Sequence, residues 1–457
     1  IPLTPIQKYF FEVTSQHKNH FNQSILLKSS KSLSEEGLKQ IFQKLTVQHD
    51  ALRAIFKEEG NEWIQEIKND GFEFQLYVHS NVTASEFETI CDGYQSSFDL
   101  EKGPLFKAVL FKREDTDYLL LLSHHLVIDG VSWRIILEDL MTLYGQYEAG
   151  AALELPLKTH SLKYWQEKQL EYANSMTMME EEVYWSSINE ATQFSTSELP
   201  KDFDYEGNNF YKDFETKVFQ LDPSFTEKLL TEAHKAYKTN INDVLIAGLS
   251  LAIGKNFDID KVAIQLEGHG REDINSEIDI TRTVGWFTTI YPVLITLKKK
   301  QDNIGQLIEV KETLHRIPNK GIGFGILKYL KDCELNVKAD VSFNYLGDFD
   351  LGQSNQEDQI FQFADIPKGR EIAANTERTG TLDVSGILVN GQLQIMLSFN
   401  TNYFRNETIE NLKEAYKYEL ELLISSLSEE KETHLTPVDF TYKGLDLSSL
   451  EELNKML

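Results

Sequence analysis

The sequence predicts an α/β protein of two lobes, each with its own hydrophobic core. Its 457 residues far exceed the roughly 100–200 of an average domain, so more than one core is expected. Strand-like and helix-like hydrophobic patterns occur in both halves, which favours sheets covered by helices. A polar, turn-rich segment over 191–209 separates the halves. We expect an N-terminal lobe over 1–190, a C-terminal lobe over 191–435 and a C-terminal linker over 436–457.

The helices and strands follow from the spacing of apolar residues. Residues 34–54 predict a helix, because Ser34 can cap its N-terminus and apolar residues recur at intervals of three and four. Alternating patterns predict strands, and the 3.6-residue period predicts helices. Strands are predicted over 61–67, 72–78, 105–112, 118–123, 213–221 and 261–267, and helices over 132–147, 161–172, 176–188, 224–237 and 241–255, with a short terminal helix in the linker.

Composition excludes several classes of protein. The chain carries 45 basic and 72 acidic residues, a net charge of −27, which disfavours non-specific binding to nucleic acid. Its two cysteines, Cys91 and Cys333, are far apart, so a disulfide scaffold is not expected and a reducing cytoplasm fits better. No apolar run approaches the roughly 18–20 residues of a membrane span, and the start lacks a signal peptide. We expect a cytoplasmic part of a longer chain.

A histidine pair follows the apolar strand over 118–123. The run is Ser-His-His-Leu-Val-Ile-Asp-Gly, with His124, His125, Asp129 and Gly130 as its polar and turn residues. Adjacent side chains of a strand point to opposite faces, so only one of the two histidines can face a given cavity. The other is expected to be hydrogen-bonded into the scaffold. No third ligand lies at a usual metal-site spacing.

The pattern His-His-x-x-x-Asp-Gly resembles the signature of the condensation-domain superfamily of nonribosomal peptide synthetases. That resemblance implies two chloramphenicol acetyltransferase-like lobes in a V-shaped arrangement with a tunnel between them. It places His125 in the tunnel and gives His124 and Gly130 structural positions in the motif. It also implies that Asp129 holds its loop through an ion pair, with Arg53 as the matching partner.

The second half resembles epimerization domains in particular. The hexad over 267–272, Glu-Gly-His-Gly-Arg-Glu, and the runs over 284–287 and 343–347 match their ordered motifs, as do 3–7 and 321–325. Condensation domains lack the hexad. The resemblance therefore implies inversion (L to D) of the α-carbon of an aminoacyl or peptidyl thioester. The substrate would arrive on the phosphopantetheine of an upstream carrier protein, beside a neighbouring synthetase module, with no metal or organic cofactor bound by this chain.

The chemistry of inversion needs a base on one face of the carbon, a proton donor on the other and stabilisation of the enolate. The resemblance implies catalytic importance for His125 and Glu267, and contributions from Tyr345 and Asn344. We expect Glu267 to be one acid/base, with Tyr345 or His125 opposite it. A protonated His125 that only stabilises the enolate oxygen is the alternative. The sequence leaves these roles open.

Other functions compete with this interpretation. A condensation domain would use the same histidine to form a peptide bond, and a catalytically silent docking module would use only the acidic surface. Pyridoxal phosphate chemistry lacks a convincing lysine and phosphate cradle, and neither cysteine resembles a low-pKa thiol.

The sequence also allows predictions for an arginine of the hexad, two tryptophans and a glycine-rich run. Arg271 is a candidate for the phosphate of the pantetheine arm, although turning at the hexad glycines explains much of that segment. Trp133 and Trp286 are expected to pack near the motifs. The glycine-rich run over 321–325 is expected to be a crossover loop between the lobes.

Overall fold

The computed structural model describes residues 1–29, 31–60, 62–68, 72–114, 116–193, 198–297, 302–348 and 360–440. Within them the chain forms two mixed α/β lobes, and the buried apolar residues fall into two separate clusters. One cluster is built almost wholly from the first half and the other from the second, because each half buries one face of its own sheet.

The N-terminal lobe has a five-stranded sheet in the order β11-β1-β6-β5-β4, and β2 and β3 form a separate hairpin. Central strands β5 and β6 are buried along nearly their whole length. Its elements are α1 (Pro5–Val13), β1 (Asn22–Ser29), α2 (Glu35–Gln48), β2 (Ala54–Glu59), β3 (Glu62–Ile67), β4 (Leu76–Ser80), α3 (Ala84–Gln95), β5 (Phe106–Lys112), β6 (Asp117–His124) and α4 (Gly130–Glu148). Two helices follow, α5 (Leu162–Ala173) and α6 (Met176–Gln193), and they bury their apolar residues in the C-terminal core.

The C-terminal lobe has a six-stranded sheet in the order β7-β13-β12-β10-β8-β9. Strand β10 pairs in parallel with both β8 and β12, which brings the C-terminal ends of three strands to one edge. Its elements are β7 (Phe214–Gln220), α7 (Pro223–Thr231), α8 (Ile241–Asn256), β8 (Lys261–Gly268), β9 (Thr289–Thr296), α9 (Asn303–His315), α10 (Ile322–Leu330), β10 (Val341–Asp348), β11 (Phe361–Phe363), β12 (Leu382–Val389), β13 (Gln392–Asn400) and α11 (Asn406–Glu429).

The helix predicted over 34–54 starts where expected and ends early. The Ser34 hydroxyl accepts a hydrogen bond from the Gly37 backbone N–H at 3.1 Å, which caps α2. The helix stops at Gln48, and a 3₁₀ turn over Asp50–Arg53 leads into β2. The apolar residues of that turn are also buried. The helix-like spacing of apolar residues in the sequence therefore continues beyond the end of the helix.

The run over 321–325 is not a crossover loop, contrary to the expectation from sequence. It begins α10, which packs against α1, and a Cβ at Gly325 would lie 3.2 Å from Pro5. The chain crosses between lobes at β11 instead, where Leu27 of β1 is registered with Phe363. The predicted lobe boundary at residue 190 falls inside the last turn of α6.

The start of the predicted C-terminal linker packs on the C-terminal lobe. The fully buried Lys311 ammonium lies 2.7 Å from the Asp439 carboxylate, and the Val438 N–H donates to Glu312 at 3.0 Å. The short terminal helix predicted for this linker lies outside the described residues.

Candidate active site

His124 ends strand β6 inside the N-terminal lobe. Its side chain is fully buried. Nε2–H donates to the Lys18 carbonyl at 2.8 Å, and Nδ1 accepts from the Leu126 N–H at 3.3 Å. Burial lowers the pKa of His124 to about 3. The imidazole is therefore neutral, and it holds the end of the strand in place.

His125 lies on the other side of the chain and is half-buried. Its ring packs on Trp286 with 4.2 Å between ring centroids, and it stacks on Phe21 at 5.7 Å. Two polar partners hold it: Nδ1 lies 2.8 Å from the Ile128 carbonyl, and Nε2 lies 2.9 Å from the Gln23 amide nitrogen. Burial lowers its pKa.

These partners fix the protonation of His125. A carbonyl can only accept a hydrogen bond, so Nδ1 must carry a proton. The Trp133 indole N–H can only donate, and it donates to Gln23 Oε1 at 2.9 Å, so the Gln23 NH₂ group faces His125. Nε2 therefore accepts from Gln23 through its lone pair. His125 is neutral, with Nε2 as its basic nitrogen.

Asp129 joins the two lobes. Its carboxylate caps α4 through the Ser132 N–H at 2.8 Å and accepts from the Phe287 N–H at 3.0 Å. Arg271, from the hexad of the second half, makes two hydrogen bonds to the same carboxylate at 2.8 and 3.2 Å. The Arg271 guanidinium also lies 4.0 Å above the Phe287 ring. We call Asp129, Ser132, Arg271 and Phe287 the lobe latch.

The lobe latch corrects two expectations from the sequence. The ion-pair partner of Asp129 is Arg271 rather than Arg53, whose guanidinium pairs with Asp50 at 2.7 Å. Arg271 is also no candidate for the phosphate of a pantetheine arm, because its side chain is only 8% exposed and its charge is already paired. The sequence points to Arg53 because it belongs to a short local motif that begins with the histidine at position 49. The pairing of Arg271 with Asp129 forms only when the lobes pack together, so a local motif does not reveal it.

Glu267 lies near the C-terminal end of β8, on the polar face of the C-terminal sheet. Leu266 and Ile264 of the same strand face the core, so Glu267 and Gln265 face the opposite side. The parallel register pairs Phe343 with Leu266, which places Asn344 beside Glu267. Asn344 Nδ2 donates to Glu267 Oε2 at 2.7 Å. The structure thus brings two of the predicted residues into direct contact.

The surroundings of Glu267 suit proton transfer near neutral pH. Its side chain is exposed by surface area, yet protein atoms surround it closely enough to desolvate its carboxylate. A side chain that borders a cleft enclosed by protein can be exposed by surface area and still be desolvated by the surrounding atoms. This desolvation, with a smaller repulsion from Asp383, raises the pKa of Glu267 to about 7.

Tyr345 lies on the other face of the same sheet. It follows Asn344 on β10, packs against the core that contains Phe343, and lies 3.3 Å from the position of a Cβ on Gly386. Burial raises the pKa of its phenol. The structure therefore separates Tyr345 from Glu267 by the thickness of the sheet, because neighbouring side chains of a strand alternate.

Two other tyrosines, which no sequence pattern singled out, lie on the same side of the C-terminal sheet as Glu267. The Tyr9 hydroxyl of α1 lies 3.4 Å from the Thr379 hydroxyl, and the Gln265 side chain lies beside it. Burial raises its pKa, and the Glu267 charge adds to the effect. Burial raises the pKa of Tyr211 to about 12, again with a contribution from Glu267. Tyr9 could have been noticed from the motif over 3–7, which it follows on the same helix.

Neither His125 nor Glu267 is among the residues that line the cavity between the lobes, although a neighbour of each is. No hydrogen bond joins the two in the part of the chain that the structure describes. Trp286, which packs on His125, and Gln265, two residues before Glu267, line the same cavity together with Tyr9. The empty space of this cavity between the lobes, counted together with the open solvent at its mouth, is about 750 Å³. We call it the inter-lobe cavity.

Metal and thiol chemistry have little basis in the described residues. Among them, no group of three or more His, Cys, Asp or Glu side chains is arranged to hold a metal ion. Burial raises the pKa of the Cys91 thiol to about 12 and also raises that of Cys333. Both thiols are therefore protonated near neutral pH. No described helix has the length and apolar character needed to traverse a lipid bilayer.

Comparison with solved structures places this arrangement among known folds. The epimerization domain from the third module of tyrocidine synthetase B superposes with a TM-score of 0.86 at 36% identity, over 94% of this chain and 96% of that one. The SgcC5 protein from Streptomyces globisporus shares the fold, with a TM-score of 0.73 at 18% identity over 94% of this chain and 99% of that one. The expected fold of two chloramphenicol acetyltransferase-like lobes is confirmed.

Two curated relatives show the same similarity in sequence. Surfactin synthase subunit 1 of Bacillus subtilis (strain 168) is 38% identical over 469 residues, which is 100% of this chain and 13% of that protein. Gramicidin S synthase 1 of Brevibacillus brevis is 37% identical over 477 residues, 100% of this chain and 43% of that protein. The chain thus spans less than half of either relative. The condensation-domain family matches residues 1–445, and the chain belongs to that family.

Proposed function

We propose that this chain epimerizes the α-carbon of an aminoacyl or peptidyl thioester carried on the phosphopantetheine arm of a carrier protein. The observation that carries the proposal is the Glu267–Asn344 pair: a carboxyl group on the polar sheet face, enclosed by protein and held by an amide at 2.7 Å. The likeness to an epimerization domain over 94% of the chain supports the same function. A carbon acid next to a thioester needs such a group close to its proton.

In this proposal, His125 and Glu267 act on opposite faces of the carbon. The substrate displaces the Gln23 amide from His125 Nε2, whose lone pair then takes the α-proton, and the electron pair of the C–H bond moves into the thioester as an enolate. Protonated Glu267 then delivers a proton to the other face. The reverse reaction uses the imidazolium and the carboxylate that remain. The Glu267 pKa of about 7 suits this exchange, because both of its forms are populated near neutral pH.

The remaining parts of the machinery follow from the same proposal. Asn344 orients the Glu267 carboxyl group, and Gln23 keeps His125 as the neutral Nδ1–H form. The substrate comes from a carrier protein upstream in the same synthetase, beside a neighbouring module. The acid and base groups of the chain suffice for proton exchange, so no metal or organic cofactor enters the reaction.

The experiment offers one aminoacyl or peptidyl carrier protein in heavy water and follows deuterium at the α-carbon. We expect uptake without any amine acceptor. Glu267→Gln and His125→Ala should each slow uptake by about 10²–10⁴-fold, the usual contribution of an acid or base. Glu277→Gln removes an exposed carboxylate from the same loop region and serves as the matched control.

Three results would overturn the proposal. No deuterium uptake with dipeptide formation, once an aminoacyl acceptor is added, identifies a condensation domain. No reaction in either assay, with the carrier protein still bound, identifies a docking module. Uptake at the unmodified rate in both variants removes Glu267 and His125 from the mechanism.

A further inference from the structure

The proposed reaction needs a third group besides an acid and a base. Removal of the α-proton moves the electron pair of the C–H bond into the thioester, so negative charge develops on the carbonyl oxygen. A hydrogen-bond donor aimed at such an oxygen is usually worth about 10²–10³ in rate. His125 and Glu267 act on the carbon, so the oxygen requires a donor from elsewhere in the chain.

The charged groups around His125 leave this task to a neutral donor. Burial lowers the pKa of His125, and the Asp129 and Glu371 carboxylates oppose that shift. Asp129 is already paired with Arg271 at 2.8 Å. Glu371 is paired with Lys368 at the same distance of 2.8 Å. Either cation would have to leave its carboxylate in order to reach an enolate oxygen, whereas a neutral N–H group has no such cost.

Gln23 presents an N–H donor directly to the basic nitrogen of His125. Its amide nitrogen lies 2.9 Å from His125 Nε2. The Trp133 indole N–H holds the amide oxygen at 2.9 Å, so the amide cannot reverse without bringing two donors face to face. The backbone is fixed as well, because the His125 N–H donates to the carbonyl of Phe21, two residues before Gln23, at 2.9 Å. The donor end therefore points to the place where the reacting proton must arrive.

Substrate binding releases this N–H close to the point where the charge develops. The α-C–H group can reach the Nε2 lone pair only after the Gln23 amide moves aside, which leaves the amide N–H without its acceptor. In a thioester the carbonyl oxygen lies about 2.4 Å from the α-carbon, by ordinary bond lengths. An amide within hydrogen-bond distance of Nε2 is therefore only a few ångströms from that oxygen. A bond to the oxygen also avoids the cost of an unpaired donor.

We propose that the Gln23 amide N–H donates a hydrogen bond to the enolate oxygen while Trp133 holds the amide in place. This inference rests on the proposed function. The α-proton passes to His125 Nε2, the electron pair moves to the oxygen, and Glu267 returns a proton to the other face of the carbon. Gln23 keeps both of its amide protons throughout, so it stabilises the charge without exchanging a proton.

Trp286 is the competing donor. Its ring lies 4.2 Å from that of His125 between centroids, and it lines the inter-lobe cavity. Its indole N–H is buried and makes no hydrogen bond within the described part of the chain. The Gln23 amide, in contrast, is already bonded to the reacting nitrogen itself. This direct contact favours Gln23, and the experiment distinguishes the two donors.

The first measurement compares α-deuterium uptake from heavy water into a carrier-bound aminoacyl thioester by Gln23→Met and by the unmodified chain. Methionine keeps the length of the side chain and removes the donor. We expect kcat to fall by about 10²–10³-fold with a smaller change in KM, because the hydrogen bond strengthens as the enolate forms. Gln220→Met, at an exposed glutamine of β7, is the matched control and should keep the unmodified rate.

The second measurement replaces the carbonyl oxygen of the substrate with sulfur, which accepts hydrogen bonds weakly. The resulting dithioester has a different α-carbon acidity, but that difference is the same for every variant and cancels in a double-mutant cycle. The ratio of the thioester rate to the dithioester rate should be about tenfold or more lower in Gln23→Met than in the unmodified chain, the value of one hydrogen bond to a charged acceptor. Trp286→Phe should keep the unmodified ratio.

The outcomes separate the inference from the proposed function. An unmodified or faster rate in Gln23→Met overturns the inference, because Gln23 would then only occupy His125 at rest. An unmodified ratio in Gln23→Met also overturns it, and a ratio that falls in Trp286→Phe instead identifies the indole as the donor. Absence of uptake by the unmodified chain refutes the proposed function itself.

Discussion

At the scale of single residues, the hydrogen bonds around His125 decide which proton chemistry it can perform. The Ile128 carbonyl and the Trp133 indole each allow one hydrogen-bond direction, and the chain of partners leaves Nε2 unprotonated, with its lone pair accepting from Gln23. Protonation of Nε2 would turn its N–H toward the Gln23 NH₂ group, which is also a donor. An imidazolium is therefore disfavoured while Gln23 keeps this contact, and proton transfer at Nε2 requires the Gln23 amide to move away.

This residue-scale arrangement predicts the pH dependence of catalysis. Neutral His125 and protonated Glu267 share one proton, so the active form exists above the lowered pKa of His125 and below the Glu267 pKa of about 7. We expect kcat/KM for α-proton exchange to fall as pH rises through about 7. The L and D substrates should follow the same curve, because the two directions start from enzyme forms that differ only in the position of one proton.

Steady-state rates between pH 5 and 9, with both stereoisomers, check this expectation. A rate that instead rises through pH 7 would make the Glu267 carboxylate the base, opposite a proton donor of higher pKa. Tyr9 and Tyr211 would then be the candidate donors, since burial raises the pKa of both phenols on the Glu267 side of the sheet.

At the scale of elements, the lobe latch fixes the loop that follows β6 to the loop that follows β8. One carboxylate, Asp129, serves the first turn of α4, a backbone N–H of the second half and the Arg271 guanidinium. Its side chain and that of Arg271 are 5% and 8% exposed. The ends of β6 and β8, which carry His125 and Glu267, are therefore tied together by a buried ion pair.

Arg271→Ala should destabilise the chain by about 3–5 kcal/mol, because it leaves the Asp129 carboxylate buried without its counter-charge. Arg53→Ala is the matched control, because the Arg53 side chain is equally buried at 8% exposed, but its loss leaves Asp50 42% exposed and still paired with Lys158 at 2.8 Å. It should therefore cost less than Arg271→Ala, since no buried carboxylate is left without a counter-charge. Urea unfolding followed by tryptophan fluorescence measures both. Equal losses in the two variants would contradict the assignment of Arg271 as the partner of Asp129.

At the scale of the whole molecule, the two lobes share structure as well as a boundary. Strand β11 comes from the second half and forms the edge of the sheet of the first half. Its Phe361 is fully buried in the N-terminal core, with its ring edge-on to Tyr144 at 5.3 Å. Val284 and Trp286 of the second half also belong to that core. Neither lobe can keep its complete core when the other unfolds.

We therefore expect one cooperative unfolding transition for the whole chain in calorimetry. Phe361→Ala should lower the free energy of unfolding by about 3–5 kcal/mol, the cost of emptying a buried phenylalanine site. Phe363→Ala, on the same strand but 38% exposed, is the control and should have a much smaller effect. Two separate transitions in the unmodified chain would contradict the shared core.

The sequence predicted the local features with good accuracy, for physical reasons. The Ser34 cap and the strand around Glu267 depend on neighbours within a few residues, and the structure confirms both. The helix over 34–54 was predicted too long, because buried residues of the 3₁₀ turn continued the helical period. The run over 321–325 was misassigned, because glycines in the first turns of α10 serve close packing as well as loops.

By itself the sequence determined the two-lobed α/β architecture, the strand ends that carry His125 and Glu267, and a scaffold position for one of the two adjacent histidines. Only the tertiary structure decided that Arg271 rather than Arg53 neutralises Asp129, that Asn344 rather than Tyr345 shares a face with Glu267, and that Gln23 controls His125. Hydrophobic periodicity reports which face of an element is buried. It carries no information on which distant polar group will meet a buried charge, because that depends on strand register and on how the lobes pack.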